Sequence, residues 1–185
     1  SAAEQVEQSL QRLQTEHIDL VQHHEIIRME DPDRVFAEGG SMEALVEAQK
    51  AGKIKYIGFT GHKDPSIHLR MLDMARAKGF HFDTVQMPLN VLDAHFRSFR
   101  ENVLPVLVKE EIGVLGMKSM ASGHALATKA ASPQECLQFA MSLPTSVVIS
   151  GMESMDILKQ NLDVVKNFEP MNPEQMASLL ARTAG

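Results

Sequence analysis

Two adjacent histidines and a glutamate follow a short apolar run in the stretch IDLVQHHEII, which begins at residue 18. A histidine at the end of a strand can donate a hydrogen bond to a substrate oxygen, bind a metal ion, or simply bond to backbone or water. Side chains alternate between the two faces of a strand, so His23 and His24 would not readily bind one ion. The residues alone leave a catalytic role and an ordinary polar role open for His24.

The other histidines do not point to a metal site either. They are His17, His62, His68, His81, His95 and His124. Their positions do not show the paired spacing of a zinc site. We therefore predict no metal ligands in this chain, and a metal-dependent reaction is the weakest of the alternatives.

The composition limits the function classes further. The 185 residues are 44% hydrophobic and 23% charged, which is enough apolar sequence for one domain with a real core. A net charge of -6 argues against broad binding to nucleic acid or to anionic membranes. One cysteine, Cys136, excludes an internal disulfide, and no apolar run approaches the about 20 residues that span a bilayer. We expect a soluble, cytoplasmic protein without a signal peptide.

Short β-branched runs alternate with helical patterns along the chain. The predicted strands are residues 18–24, 54–60, 82–87, 112–117 and 146–150. The predicted helices are residues 2–14, 41–52, 64–79, 97–111, 132–143, 154–168 and 172–183. A strand begins about every 28 to 36 residues, which is the spacing of a βα unit. The pattern predicts one α/β domain over residues 1–185.

Helix boundaries are marked clearly in several places. Ser132 offers an N-cap, followed by a first-turn proline and a capping-box glutamate at Glu135. Asn172 followed by a proline repeats the signal. Gly52 and Gly79 lie where helices should end.

Consecutive βα units form either an open doubly wound sheet or a closed barrel. The open sheet that binds dinucleotides carries a G-x-G-x-x-G turn after a strand, and this sequence has none. Polar residues instead collect at the predicted carboxyl ends of strands. In a barrel those ends meet on one face, where the active site lies. Five strands, however, are too few for a barrel of eight.

Five segments resemble, in the right order, segments of the aldo-keto reductase family. They are SLQRLQTEHIDLVQHHE, AGKIKYIGFTGH, FDTVQMPLN, IGVLGMKSMASG and VVISGMESMDILKQNL. The resemblance implies a TIM-type (β/α)8 barrel, of which this chain would supply strands four to eight. It also implies binding of NADPH or NADH and a catalytic set of Asp, Tyr, Lys and His. Only the histidine of that set falls in this chain, at His24, five residues after Asp19.

The resemblance assigns the contacts to the nicotinamide carboxamide to three residues. Thr60 and Gly61 occupy the positions of the family's Ser-Asn pair, and Gln86 matches the third contact. Gly61 lacks the amide side chain, so His62 or a backbone group would have to replace it, and a plain turn glycine is an equal alternative. For Asn90, a role in a turn or in the core is as well supported as a role in binding.

The rest of the cofactor is assigned to the carboxyl-terminal part of the chain. Met117 stands where many relatives place a tyrosine that stacks on nicotinamide, and a thioether can pack there less specifically. Lys118 and Ser119 begin a loop of small residues suited to a pyrophosphate, although a solvated surface lysine is the alternative for Lys118. Gln160 and Asn161 match the pair that contacts adenine, and an exposed helix face would explain both almost as well.

The residues expected to select between the two cofactors favour NADH. NADPH-preferring relatives carry Lys-Ser at the positions of Gly151 and Met152 and an arginine at Ile157. All three residues are uncharged here, and Glu153 and Asp156 are close in sequence. Carboxylates repel a 2′-phosphate but accept hydrogen bonds from ribose hydroxyls.

The expected function is the NAD(P)H-dependent reduction of a small aldehyde or ketone, with this chain supplying the cofactor site and His24. The polar segment RMEDPDRVFAEGG would border the substrate. The alternative is an exposed loop without a role in binding. A non-catalytic dinucleotide-binding module of the same family stays open, as does a metal-dependent hydrolase on the same barrel. Because strands one to three of the barrel would lie outside these residues, we also expect either a longer polypeptide or self-association.

Overall fold

Strands appear where each β-branched run predicted one. The computed structural model describes residues 1–127 and 129–184, and within them all paired strands run parallel. The strands are β1 (Ile18–His23), β2 (Ile54–Thr60), β3 (Thr84–Pro88), β4 (Gly113–Met117) and β5 (Val147–Val148). The fold class predicted from the sequence, α/β with parallel strands, is therefore confirmed.

Helices separate the strands. They are α1 (Ala2–Leu13), α2 (Asp31–Val35), α3 (Ser41–Lys50), α4 (Pro65–Ala77), α5 (Phe99–Asn102), α6 (Leu104–Lys109), α7 (His124–Ala127), α8 (Pro133–Ser142), α9 (Met155–Lys166) and α10 (Pro173–Thr183). Within the described ranges, no helix has the length and apolar character needed to cross a membrane.

Internal contacts divide the chain into two compact units, Ser1–Gln86 and Met87–Gly185. In the first unit, β2 lies between β1 and β3, with Ile18 opposite Ile54 and Thr60 opposite Gln86. In the second unit, β4 pairs with β5, and the amide of Leu89, just after β3, donates to the Met117 carbonyl at the end of β4. The expectation of one domain over residues 1–185 stays a prediction.

The predicted helix ends are confirmed. Ser132 and Glu135 cap each other's backbone amides at the start of α8, and Asn172 does the same with Gln175 at the start of α10. Gly52 and Gly79 follow α3 and α4 in the left-handed conformation, which costs a glycine little.

The structure differs from the predicted elements at two places. The helix predicted over residues 97–111 is broken into α5 and α6, because Pro105 lacks an amide hydrogen and its ring clashes with the preceding turn. The loop predicted after β1 contains the short helix α2, which Asp31 stabilises by accepting from the amides of Ile27 and Arg28. Neither feature moves a strand end.

Each unit has its own buried apolar side chains. In the first unit, aromatic rings meet around Phe82, whose centroid lies 4.9 Å from that of Phe59 and 5.0 Å from that of Phe80. In the second unit, Leu107 of α6 and Phe139 of α8 are fully buried, as is Leu89. These cores hold the strand ends that carry the polar residues.

Candidate functional site

The carboxyl ends of β1, β2 and β3 bring the predicted residues of the first unit into neighbouring positions. Thr60 and Gln86 are direct partners in the parallel register, and Thr60 is buried. The amide of Gly61 donates to the carbonyl of Gln86 over 3.4 Å. His24 follows β1 immediately. A hydroxyl, a carboxamide and an imidazole are thus presented at one edge of the first unit's strands.

A residue that the sequence did not single out belongs to this group. The Gln22 side-chain nitrogen donates to the Gln86 side-chain oxygen over 2.9 Å, although the two residues are 64 positions apart. This bond orients the carboxamide of Gln86. The only available signal was that Gln22 lies two residues before His24, and therefore on the same face of an extended chain.

The two adjacent histidines occupy different environments. His23 is buried, its Nδ1 lies 3.1 Å from the Ser41 hydroxyl, and its ring meets that of Phe82 edge-on at 6.4 Å. Burial lowers the pKa of His23 to about 4, so its ring is neutral near pH 7. His24 is exposed. Both line a cavity of about 390 Å³ beside α1 and α3.

The glutamate of the HHE sequence pairs with the histidine that follows Gly61. Glu25 Oε1 lies 3.5 Å from His62 Nε2. Within the described residues, no group of three His, Cys, Asp or Glu side chains is arranged to hold a metal ion. The Glu25–His62 pair therefore links the loops after β1 and β2 at the surface.

Gly61 is a glycine because neighbouring atoms occupy the space of a side chain. A Cβ atom built on it would overlap the carbonyl oxygen of Ile26 and would lie 2.8 Å from Cε1 of His68. Ile26 is held there by a 2.9 Å bond from its amide to the Thr60 carbonyl. Close packing therefore leaves no room here for the asparagine side chain that the family resemblance implies at this position.

We predict that Gly61→Ala lowers the free energy of unfolding by about 3 kcal/mol, because the new methyl group must displace backbone. Urea unfolding followed by circular dichroism measures the change. Gly116→Ala is the matched control, since its Cβ would meet only side-chain carbons of Leu89 and Thr145 at 3.4 Å or more. That control should change stability by less than about 1 kcal/mol. Equal stabilities of the two variants would contradict the packing argument.

The polar loop after β1 is fixed to the helix that follows β2. Arg70 of α4 donates through Nη2 to both carboxylate oxygens of Asp33, at 2.9 and 2.7 Å, and through Nε to the Met29 carbonyl. These bonds connect the loop to α4. Its predicted role beside a substrate stays a prediction.

In the second unit, five of the six predicted cofactor residues line one cavity of about 430 Å³. They are Lys118, Ser119, Gly151, Gln160 and Asn161. They come from the loop after β4 and from the loop and helix α9 after β5. The fold thus brings residues up to 43 positions apart in sequence to the wall of the same cavity.

Lys118 has a backbone conformation that is unusual for a side chain. Its φ is 55°, in the left-handed region that costs a non-glycine residue about 1 kcal/mol. The Asn90 side-chain nitrogen donates to the Lys118 carbonyl, and the Asn90 side-chain oxygen accepts from the amides of Leu92 and Asp93. Asn90 therefore acts as a turn residue that holds the start of the Lys118 loop, and its predicted role in binding stays a prediction.

Asn161 has a structural task within its own unit. It is buried, and its side-chain nitrogen donates to the Ser150 hydroxyl at 3.2 Å and the Gly151 carbonyl at 3.3 Å. It ties α9 to the loop after β5. Met117, the sixth predicted residue, lies outside the lining of this cavity and ends β4, half-buried.

The cavity carries charges of both signs. Lys118 contributes an ammonium group, and Glu153, at the entrance to α9, contributes a carboxylate. Ile157 lines the wall next to Glu153. The Lys118 end of the cavity therefore favours negative charge, and the Glu153 end disfavours it.

Parallel βα units with polar side chains at the strand ends define an α/β protein with a ligand-sized cavity beside the strand ends of its second unit. The chain belongs to the aldo/keto reductase family, whose model matches residues 1–136.

The chain is similar to a curated protein in sequence and to a solved structure in fold. The aldo-keto reductase YhdN of Bacillus subtilis (strain 168) is 33% identical over 120 residues, which are 65% of this chain and 32% of that protein. The apo form of aldo-keto reductase AKR11C1 from Bacillus halodurans superposes with a TM-score of 0.74 at 21% identity. That superposition covers all of this chain and 69% of the other. The match thus spans about a third of the curated relative, and the fold is that of a partial aldo-keto reductase barrel.

Proposed function

We propose that this chain is the cofactor-binding and histidine-bearing part of an NAD(P)H-dependent reductase that converts aldehydes or ketones to alcohols. The observation that carries the proposal is the cavity of the second unit, where Lys118, Ser119, Gly151, Gln160 and Asn161 meet. These residues match cofactor-contact positions of the family, and they come from segments up to 43 positions apart in sequence. Family membership makes a nicotinamide dinucleotide the natural ligand.

In the second unit, the loop after β4 would hold the diphosphate. Lys118 supplies a positive charge and Ser119 a hydroxyl at the cavity wall. Gln160 would contact adenine, while Asn161 would fix the Gly151 loop through the bonds it already makes. Met117 at the end of β4 would pack against the nicotinamide ring.

In the first unit, the nicotinamide carboxamide would bind Thr60 and Gln86, which are register partners. Gly61 would contribute backbone only, because no side chain fits there. The bound nicotinamide supplies the hydride for carbonyl reduction. His24 would donate a hydrogen bond to the substrate oxygen and orient a small carbonyl compound.

A binding and turnover assay on the complete protein tests the proposal. NADH and NADPH are titrated by fluorescence, and their oxidation is followed with a panel of small aldehydes and ketones. We expect binding of at least one cofactor and turnover of at least one carbonyl compound. Absence of binding by both cofactors would contradict the proposal.

A second candidate function, a non-catalytic dinucleotide-binding module, would apply if these 185 residues supplied the only tyrosine of the protein. The sequence contains a single tyrosine, Tyr56, and it lies in β2 four residues before Thr60. That separation is roughly 13 Å along a strand, away from the end that carries His24. Tyr56 therefore cannot supply a proton beside His24. Cofactor binding without carbonyl turnover in the complete protein would favour this second function.

We predict that NADH binds the complete protein at least as tightly as NADPH. Gly151 and Ile157 offer no cation to a 2′-phosphate, and Glu153 would repel one. Calorimetric titration of both cofactors measures the difference. An NADPH preference of tenfold or more, about 1.4 kcal/mol, would contradict the prediction.

Reversing the charge of Glu153 tests whether this carboxylate sets the cofactor preference. Glu153→Lys should improve NADPH binding by about tenfold and leave NADH binding nearly unchanged, because only NADPH carries the extra phosphate. Glu169→Lys is the matched control, since Glu169 is exposed and outside the lining of this cavity. The same gain in both variants would show a general charge effect instead of a local contact.

A further inference from the structure

Gln22 of β1 reaches across the neighbouring strand to Gln86 of β3. Its side-chain nitrogen donates to the Gln86 side-chain oxygen over 2.9 Å. In β2, the Cα partner of Gln22 is Gly58, and the Cα partner of Gln86 is Thr60, two residues further along the strand. Neighbouring strands lie about 4.8 Å apart, so the two side chains together span roughly 10 Å. They connect β1 and β3, which both pair with β2.

Gly58 places no side chain between the two glutamines. Gln22 and Gly58 are direct partners, so a side chain on Gly58 would lie on the same face as that of Gln22. A Cβ atom on Gly58 would lie 2.2 Å from Thr84 Oγ1, which excludes a larger residue there. The packing of β2 against β3 thus keeps position 58 without a side chain, and the Gln22 side chain passes over it.

The Gln22–Gln86 bond lies on the face that carries the proposed nicotinamide contacts. Gln22 precedes His24 by two residues in an extended chain, and both line the same cavity. Thr60 and Gln86 are register partners, so their side chains are neighbours on one face. Gln22 therefore contacts one of the two side chains proposed to bind the carboxamide of the cofactor.

The direction of this bond is the less costly of two. The Gln22 side-chain oxygen is buried and has no hydrogen-bond partner among the described residues. If both carboxamides turned over, the Gln22 nitrogen would take that place, with two unpaired hydrogens. A buried unpaired N–H group is rarer and costlier than a buried unpaired carbonyl oxygen. The Gln86 oxygen therefore faces β1, and the Gln86 nitrogen is the other end of the same planar group.

We infer that Gln22 is a positioning residue, whose bond holds the Gln86 carboxamide so that its nitrogen donates to the carbonyl oxygen of the nicotinamide carboxamide. A carboxamide nitrogen carries two hydrogens, so it can donate to a ligand and to the protein at the same time. The inference rests on the proposed function, which makes Gln86 a contact to nicotinamide. It assigns Gln22 no contact with the cofactor itself.

Two ligands separate this positioning role from a general defect. NADH carries nicotinamide, while ADP-ribose carries the adenosine and diphosphate but no nicotinamide. Gln22→Met keeps an unbranched side chain of similar length and removes the bond. In the complete protein, we expect it to weaken NADH binding at least about fivefold and to change ADP-ribose binding by less than about twofold. Gln49→Met is the matched control and should affect neither ligand, because Gln49 donates to the Lys55 carbonyl at the other end of β2, over 2.8 Å.

A double-variant cycle tests whether Gln22 acts through Gln86. Gln86→Met should also weaken NADH binding. Adding Gln22→Met to it should cause less than about a twofold further loss, because the contact that Gln22 positions is already gone. Losses that multiply would overturn the inference, since Gln22 would then act without Gln86.

Unchanged NADH affinity in Gln22→Met, or an equal loss for both ligands, would also overturn the inference and leave the proposed function standing. If Gln22→Met does not fold, side-chain ¹⁵N signals of the unmodified protein give an independent measurement. Those of Gln22 and Gln86 should both shift on addition of NADH and stay in place with ADP-ribose. A shift of the Gln86 signal alone would overturn the inference. Failure of the unmodified protein to bind either ligand would instead remove the proposed function itself, and this inference with it.

Discussion

Replacing His24 by alanine in the complete protein should lower the turnover number for carbonyl reduction by about 100-fold. The exposed His24 follows β1 directly, and under the proposed function it donates a hydrogen bond to the substrate oxygen. His17→Ala is the matched control, because this exposed histidine precedes β1 at the opposite end of the strand and should leave turnover unchanged. Steady-state kinetics of both variants measure the difference. Equal, small effects would refute the assignment of His24.

His23→Ala separates stability from catalysis. This substitution removes a buried ring that contacts Phe82 and bonds to Ser41, so it should lower the free energy of unfolding by about 2 kcal/mol. The turnover of the folded fraction should nevertheless stay close to that of the unmodified protein. A turnover loss in His23→Ala as large as that in His24→Ala would show that the strand end, and not one side chain, controls the reaction.

A polypeptide consisting of residues 1–185 alone should reduce no carbonyl compound at a measurable enzymatic rate. The tyrosine–lysine pair that the family resemblance implies is not among these residues, and Tyr56 lies too far from the strand ends to replace it. Without a proton donor, hydride transfer would leave an unstabilised alkoxide. An NAD(P)H oxidation assay measures the rate. Aldehyde reduction at enzymatic rates by this polypeptide would refute the argument.

The same isolated polypeptide should self-associate. In the second unit, Val147, Leu162 and Val165 are about half exposed, and they line an apolar groove of about 340 Å³ between α8, β5 and α9. Exposed apolar surface next to a short outer strand favours pairing with another chain. Light scattering should therefore give a mass well above the 20.5 kDa of one chain.

Surface variants identify the face responsible. Leu162→Gln together with Val165→Gln should shift the isolated polypeptide toward the monomer. Leu13→Gln together with Val108→Gln is the matched control, because it removes two exposed apolar side chains elsewhere. A similar shift in both double variants would show nonspecific hydrophobic association instead of pairing through this groove. A monomeric unmodified polypeptide would contradict the prediction of self-association itself.

Local sequence patterns were sufficient for most of the elements. The strands lie within about two residues of the β-branched runs, and the caps at Ser132 and Asn172 form as predicted, because capping depends on residues three positions apart. The prediction was wrong for residues 97–111, where Pro105 outweighed the helical pattern. The short helix α2 was missed, because it depends on a single aspartate bonding back to the loop.

The sequence by itself determined the end of each strand to within about two residues, because strand periodicity and turn signals are local. It could not determine how those ends are packed. The exposure of His24 beside the buried His23, the bond between Gln22 and Gln86, and the crowding of Gly61 all depend on residues distant in sequence. The burial of His68 of α4 beside Phe59 of β2 and beside Gly61 likewise depends on how the elements pack. Burial and contact are properties of the folded chain, so only the tertiary structure decided them.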